Sequence, residues 1–132
     1  MMDTVFDPLR RKEVALTPEE RVRQWFIGVL RDSAGVPQHL MMSEVSLTLP
    51  SGKPQRADIV VWDREARPLM IVECKRPEVA LDGEVAAQAL RYNNVLQVKY
   101  IAITNGTRTF LFGRRGDRFE ALQALPAWEE MI

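Results

Sequence analysis

Arg56-Ala57-Asp58-Ile59-Val60-Val61-Trp62 and Leu69-Met70-Ile71-Val72-Glu73-Cys74-Lys75-Arg76-Pro77 are two apolar runs that lie close together in the chain. Both runs are rich in β-branched residues and are joined by a polar connection over 63–68, which predicts two consecutive strands. Pro77 ends the second, because proline has no N–H to give to a ladder. Three charges interrupt this apolar pattern: Asp58, Glu73 and Lys75. Charge inside a buried strand is costly unless it is paired or holds a metal. Glu73 and Lys75 are two residues apart, so a regular strand points them to one face. Cys74 then faces the other way and reads as a small buried core residue rather than a nucleophile.

The hairpin count brings the third charge to the other two. If the hairpin folds symmetrically, Trp62 pairs with Leu69 and Asp58 lies opposite Glu73, with β-carbons about 5 Å apart. Carboxylates that close repel each other and call for a shared cation. Hard oxygen ligands suit Mg²⁺ or Mn²⁺. Lys75 beside them could hold or activate water, or stabilise charge on a phosphoryl group. The same three residues also fit a cross-strand ion pair at a sheet edge with no chemistry attached.

Working outward, Thr17 is a good N-cap, Pro18 suits the first helical position and Glu20 completes a capping box. Val22, Trp25, Phe26, Val29 and Leu30 make one apolar stripe, and Gly35 and Pro37 close the helix. Glu44 to Leu49 alternates as a strand with one wet face, its Glu44 an exposed acid or a neighbour of the site. A second helix is expected from Asp82 to Gln97 and a fourth strand from Val98 to Thr104. The Asn105-Gly106 turn leads into a fifth strand, Thr109 to Phe112. The tail, with Phe119, Leu122, Leu125 and Trp128, adds a short strand or helix. Residues 1–16 read as a polar leader, poorly ordered. The order helix, strand meander, helix, strands predicts an α/β fold with a mixed central sheet flanked by helices, a single domain over 17–132.

The bulk properties agree. The chain has 132 residues, 46% apolar and 27% charged, with equal numbers of acids and bases. That length can bury a real core without staples. No net basic charge marks it as a passive nucleic-acid coat, although a local basic patch remains compatible with nucleic acid. No apolar run is long enough to span a membrane, and the first residues lack the apolar core of a secretory signal. A lone cysteine fits a reducing, cytoplasmic setting. One histidine, His39 in an exposed loop, and one cysteine leave too few ligands for a zinc site. Trp25, Phe26 and Trp62 read as core, with no paired surface aromatics to stack on bases.

The motifs together resemble a known family. Arg56-Ala57-Asp58 and Glu73-Cys74-Lys75 resemble the PD-(D/E)XK nuclease motif. Gln88-Ala89-Leu90-Arg91-Tyr92 is similar to the Q-x-x-x-Y element of its RecB-like branch. Thr17-Pro18-Glu19-Glu20-Arg21-Val22-Arg23-Gln24 and Ile103-Thr104-Asn105-Gly106 resemble the first helix and the late strand and turn of the type I restriction enzyme R-subunit N-terminal family. The resemblance runs from about residue 17 to 112. It implies an αβββαβ restriction-endonuclease-like core with an extra hairpin strand, and a metal-dependent phosphodiesterase acting on DNA by metal-activated water. Asp58, Glu73 and the Cys74 backbone carbonyl would hold Mg²⁺ (or Mn²⁺), Lys75 would position or activate water, and Gln88 and Tyr92 would shape the site. Glu20 is either an accessory acid of the site or only a helix cap. Arg56, Arg76 and Arg91 are either phosphate contacts or solvated surface charges.

The chain departs from the pattern in two places. Ala57 stands where the motif has proline, and no G-x-x-x-x-G-K-[ST] phosphate loop of a helicase motor is present. The expectation is therefore a stand-alone nuclease, working by itself, as a homodimer or with a motor or specificity partner. The alternative is a non-catalytic nucleic-acid-binding or partner-docking module that keeps the nuclease fold.

Overall fold

The computed structural model describes residues 3–93 and 97–132, the side chains of 92 and 93 excepted. Two strands, β1 (Thr4–Asp7) and β2 (Lys12–Ala15), form a hairpin of their own ahead of helix α1 (Pro18–Gly28). Six strands then make one sheet: β3 (Met41–Thr48), β4 (Pro54–Trp62), β5 (Pro68–Cys74), β6 (Tyr100–Thr104), β7 (Thr109–Arg115) and β8 (Arg118–Leu122), in that spatial order. Helix α2 (Gly83–Asn93) links β5 to β6, the one parallel pair of the sheet. A short helix α3 (Trp128–Met131) follows β8. This is the expected mixed sheet flanked by helices, with the αβββαβ order and hairpin strands after it.

Local chemistry explains the boundaries. The Thr17 hydroxyl accepts the Glu20 N–H at 3.1 Å and starts α1, relieving one of the unpaired donors of a helix start. The Glu20 carboxylate does not close the expected capping box but goes to Arg10, Arg23 and Gln24. Asp82 caps α2 through the Val85 N–H at 2.9 Å. The residues 94–97 expected to extend that helix fall mostly outside the described set. Asn105-Gly106 makes the β6–β7 turn, with Gly106 at φ 89, where only glycine sits without strain.

The sheet carries a core on each face. Val22, Phe26, Ile27 and Leu30 of α1 pack with Ile59, Val61, Val72 and Cys74, and Trp128 and Met131 of α3 join them. On the other face Ala86 of α2 packs with Val60, Ile71, Ile101 and Ile103. Each such fully buried aliphatic contributes about 1.5–3 kcal/mol relative to exposure.

Two expectations are corrected. Residues 4–15 of the polar leader are a paired hairpin, with Leu9 packed against the α1-side core. Its order rests on Asp7, which is fully buried and accepts the Leu9 N–H at 2.9 Å and the Arg10 guanidinium. Trp25 is not core: it is 46% exposed, while Arg23 on the same helix is 4% exposed. The buried face of α1 is turned toward Arg23 and Ile27 because the guanidinium finds carboxylates there.

Candidate active site

The β4–β5 hairpin delivers the charges as counted. Its ladder pairs Ile59 with Val72, Val60 with Ile71 and Val61 with Met70, a register that one step further sets Asp58 against Glu73. The turn end is irregular, so Trp62 pairs with Pro68 rather than Leu69. Glu73 is the penultimate residue of β5 and Lys75 follows its last residue. Their side chains meet, Lys75 Nζ lying 3.6 Å from Glu73 Oε1. Lys75 is fixed through its backbone, whose N–H donates to the Thr104 carbonyl of β6 at 2.8 Å. Glu73, Lys75, Val85, Gln88 and Ala89 line one cavity of about 270 Å³ between the end of β5 and α2. Three of the residues singled out in the sequence thus share one cavity, and Tyr92 has its side chain outside the described set.

Asp58 reaches this place differently. The pleat of the β3–β4 pair breaks beside it. Met41, Ile59 and Val61 pack on the α1 face, whereas Val45, Leu47 and Ala57 pack on the α2 face. Residues 57 and 59 of a regular strand would share a face, so the chain turns over at Asp58. The partner strand turns over at Glu44, a non-glycine residue at φ 54 that the β3–β4 ladder skips between Ser43↔Ile59 and Val45↔Ala57. Left-handed backbone at a bulky residue costs about 1–2 kcal/mol. Freed from the pleat, the Asp58 carboxylate accepts the Cys74 backbone N–H through Oδ2 at 2.7 Å. It therefore lies against the peptide between Glu73 and Lys75.

Each of the two carboxylates also meets a basic side chain. Asp58 Oδ1 accepts from Arg23 Nη2 at 3.4 Å, and Glu73 pairs with Lys75. Arg23 was not singled out in the sequence, yet its side chain, 5% exposed, also meets Glu20 at 3.1 Å, Glu44 at 3.2 Å and Glu19 at 3.7 Å. Arg10 of the hairpin reaches Glu20 at 2.7 Å and Glu44 at 3.5 Å. Glu44, read as an exposed or neighbouring acid, is a hub of this network. Burial works against its ionisation, but the hydrogen bond and charge of Arg23, with the charges of Arg56 and Arg10, hold its carboxyl below the usual range. Glu20 is buried and shares Arg23 with Asp58. In the sequence Glu20 was a candidate accessory acid or helix cap and Glu44 an exposed or neighbouring acid, whereas Arg10 and Arg23 look like solvated surface in isolation.

The remaining candidates are peripheral. Arg56 is largely exposed and pairs with Glu44 at 2.9 Å. Arg76 is exposed and lines a second cavity of about 570 Å³ with Arg10, Glu19, Glu20, Arg23 and Glu44. Arg91 is exposed on α2. Burial pushes the Cys74 thiol well up, and the Asp58 charge adds to this, so Cys74 stays a neutral core thiol. Among the described residues no three His, Cys, Asp or Glu side chains cluster as a metal site. The resemblance to the PD-(D/E)XK motif implies fewer side-chain ligands, Asp58 and Glu73, with the Cys74 carbonyl beside them. The Cys74 amide donates to Asp58 from the peptide that joins Glu73 to Cys74, and carboxylate and carbonyl oxygens are hard donors of the kind that suits Mg²⁺ or Mn²⁺.

Known proteins share this fold. The model of the family "Type I restriction enzyme R protein N terminus (HSDR_N)" matches residues 18–126. The fragment structure of a protein assigned as an HsdR subunit of a type I restriction enzyme, from Vibrio vulnificus YJ016, is 21% identical with a TM-score of 0.62, covering 88% of this chain and 24% of that one. The DrdV–DNA complex is 20% identical with a TM-score of 0.55 over 78% of this chain and 10% of that one. A DUF820 protein of Anabaena variabilis ATCC 29413, assigned as a nuclease, is 10% identical with a TM-score of 0.53, covering 92% of this chain and 76% of its own. The chain thus spans about a quarter of the first and a tenth of the second. No curated protein matches it. With a nuclease-like fold and a family match across most of its length, this chain belongs to the type I restriction enzyme R protein N-terminal family.

Proposed function

We propose that this chain is a metal-dependent nuclease domain of the PD-(D/E)XK type that hydrolyses phosphodiester bonds in DNA. The observation that carries the reading is the convergence at the end of β5. Glu73, Lys75 and Gln88 line one cavity, and the Asp58 carboxylate is hydrogen-bonded to the Cys74 amide between Glu73 and Lys75. Asp58, Glu73 and the Cys74 carbonyl would hold Mg²⁺ or Mn²⁺, which when bound supplies Lewis acidity at the phosphoryl group. Lys75, paired with Glu73, holds a positive charge where negative charge develops on the phosphate, and its ammonium can orient a water by donating to it. Gln88, from α2, offers an amide that can both donate and accept across the same cavity. Arg76, exposed beside the second cavity, would meet a backbone phosphate.

The relation of the DrdV–DNA complex to this fold supports DNA as the substrate class. A second reading has one observation in its favour: both oxygens of Asp58 already have donors, Arg23 and the Cys74 amide. A module that binds DNA or a partner without cutting would leave them so. Incubation of the purified chain with Mg²⁺ and single-stranded, duplex, nicked and branched DNA separates the two. Cleavage that chelator abolishes is expected. Binding without cleavage of any of these DNAs would establish the non-catalytic module instead.

A further inference from the structure

Arg23 is a residue that stability alone does not explain. Its Nε is buried and has no hydrogen-bond partner, and its whole side chain is nearly out of water. Burying a guanidinium this way costs folding energy that a well-packed apolar side chain would not cost. What the fork does gain is geometry. Nη1 is shared between Glu20 at 3.1 Å and Glu44 at 3.2 Å, while Nη2 reaches Asp58 at 3.4 Å. Glu20 and Glu44 are in turn held by Arg10 of the hairpin. Asp58 stands where β4 leaves its pleat, so no regular neighbour packing sets its rotamer. Its two oxygens are set by Arg23 on one side and the Cys74 amide on the other.

We propose that Arg23 is a positioning residue, which orients the Asp58 carboxylate onto the Cys74 peptide while Glu20 and Glu44 hold the guanidinium. The proposal deepens the nuclease reading and rests on it for Asp58 as a ligand of the site. The fork is essential: a lysine keeps the charge but offers one compact ammonium, which cannot serve Glu20, Glu44 and Asp58 at once.

Arg23→Lys is therefore the primary variant and Arg23→Met the second, the first keeping the charge balance that protects the fold. Hydrogen exchange by NMR reads the Cys74 amide directly, with no metal or DNA present. The Lys75 amide, bonded to the Thr104 carbonyl at 2.8 Å, is the internal control. In Arg23→Lys the Cys74 amide should exchange about tenfold faster or more, with Lys75 and the rest of β5 unchanged. In Mn²⁺-driven cleavage the same variant should lose about tenfold in kcat, with KM for DNA changed less than about threefold. Unchanged Cys74 exchange, or a uniform rise along β5, overturns the proposal. So does a wild-type kcat in Arg23→Lys when the wild type itself cuts DNA, and that result leaves the nuclease reading standing. If Cys74 exchange rises selectively but the wild type cuts no DNA, the positioning role stands and the nuclease reading falls.

Discussion

At the scale of single residues, Lys75 is the side chain whose role can be separated from the fold. Its side chain is 36% exposed and forms an ion pair with Glu73 at the sheet end, so the core does not depend on it. Lys75→Ala should fold with a loss of about 1 kcal/mol or less in urea denaturation. DNA cleavage with Mg²⁺ should fall by roughly 10² or more, because a fixed positive charge beside the developing phosphate charge is removed. Cleavage at the wild-type rate in this variant would rule out the assigned role. That Glu73, Lys75 and Gln88 share a cavity and Asp58 meets the Cys74 amide was foreshadowed in the sequence by charge inside apolar strands, and for Gln88 by the resemblance to the Q-x-x-x-Y element. Arg10, Arg23 and Glu44 were not. They come from a hairpin, a helix and an edge strand, and each sits among other polar residues. Arg23 in particular falls beside Val22 and reads as the wet face of an amphipathic helix. Only the folded positions of its four carboxylate partners show why the helix buries it and exposes Trp25 instead.

At the scale of elements, the β3–β4 pair and the N-terminal hairpin are where the sequence pattern misled. The alternation of Glu44 to Leu49 was read as one regular strand; β3 does pair antiparallel with β4, and the β4–β5 register departs from the count at its turn end, where Trp62 pairs with Pro68. That alternation cannot reveal that β3 changes face at Glu44, because it begins there: the residues before it, Met41-Met42-Ser43, do not alternate. The positive φ gives a direct test. Glycine in a strand ordinarily loses to alanine, but at position 44 both variants lose the same carboxylate and only glycine relieves the backbone. Glu44→Gly should therefore be more stable than Glu44→Ala by about 1 kcal/mol in matched denaturations. The reverse order would mean that the strand is regular there. The hairpin hid itself because residues 8–11 carry no Asn-Gly signal and its key acid, Asp7, looks like any polar residue of a leader. Burial works against Asp7 ionising, yet its hydrogen bonds with Arg10 and the Leu9 amide hold its carboxyl below the ordinary range. Since the folded state then binds this proton less readily than the unfolded chain, the stabilisation is complete above about pH 4 and is lost as pH falls further. Glu44, shifted in the same direction, adds to that loss. Asp7→Asn should lower stability at neutral pH and make the acid limb of a stability-against-pH curve shallower. An acid limb of unchanged steepness would show that the hairpin is not anchored through Asp7.

Across the whole molecule, the sheet has a hydrophobic core on each face and the candidate site at one end, where β5 finishes beside its parallel neighbour β6. A site at the end of rigid strands gains its precision from the core, and in return it hands the core whatever free energy its ligand brings. That linkage allows a metal test needing neither DNA nor turnover. A ligand that binds only the folded state stabilises it by RT ln(1 + [L]/Kd), about 2.7 kcal/mol at a hundredfold excess over Kd. For a domain of this length such a gain raises Tm by several degrees. Mn²⁺ or Mg²⁺, but not Na⁺ at matched ionic strength, should raise the Tm of the wild-type chain. Chelator should reverse the rise. In Glu73→Gln, which keeps the shape of the side chain and its reach to Lys75, the metal-dependent rise should disappear while the metal-free Tm stays within a few degrees of wild type. Lys75→Ala should keep the rise, since an ammonium is not a ligand. If the wild type shows no metal-dependent change, the two carboxylates are serving Arg23 and Lys75 as structural ion pairs. If Glu73→Gln keeps the full rise, the metal binds elsewhere, and the assignment of Glu73 as a ligand fails even though the fold and the family stand.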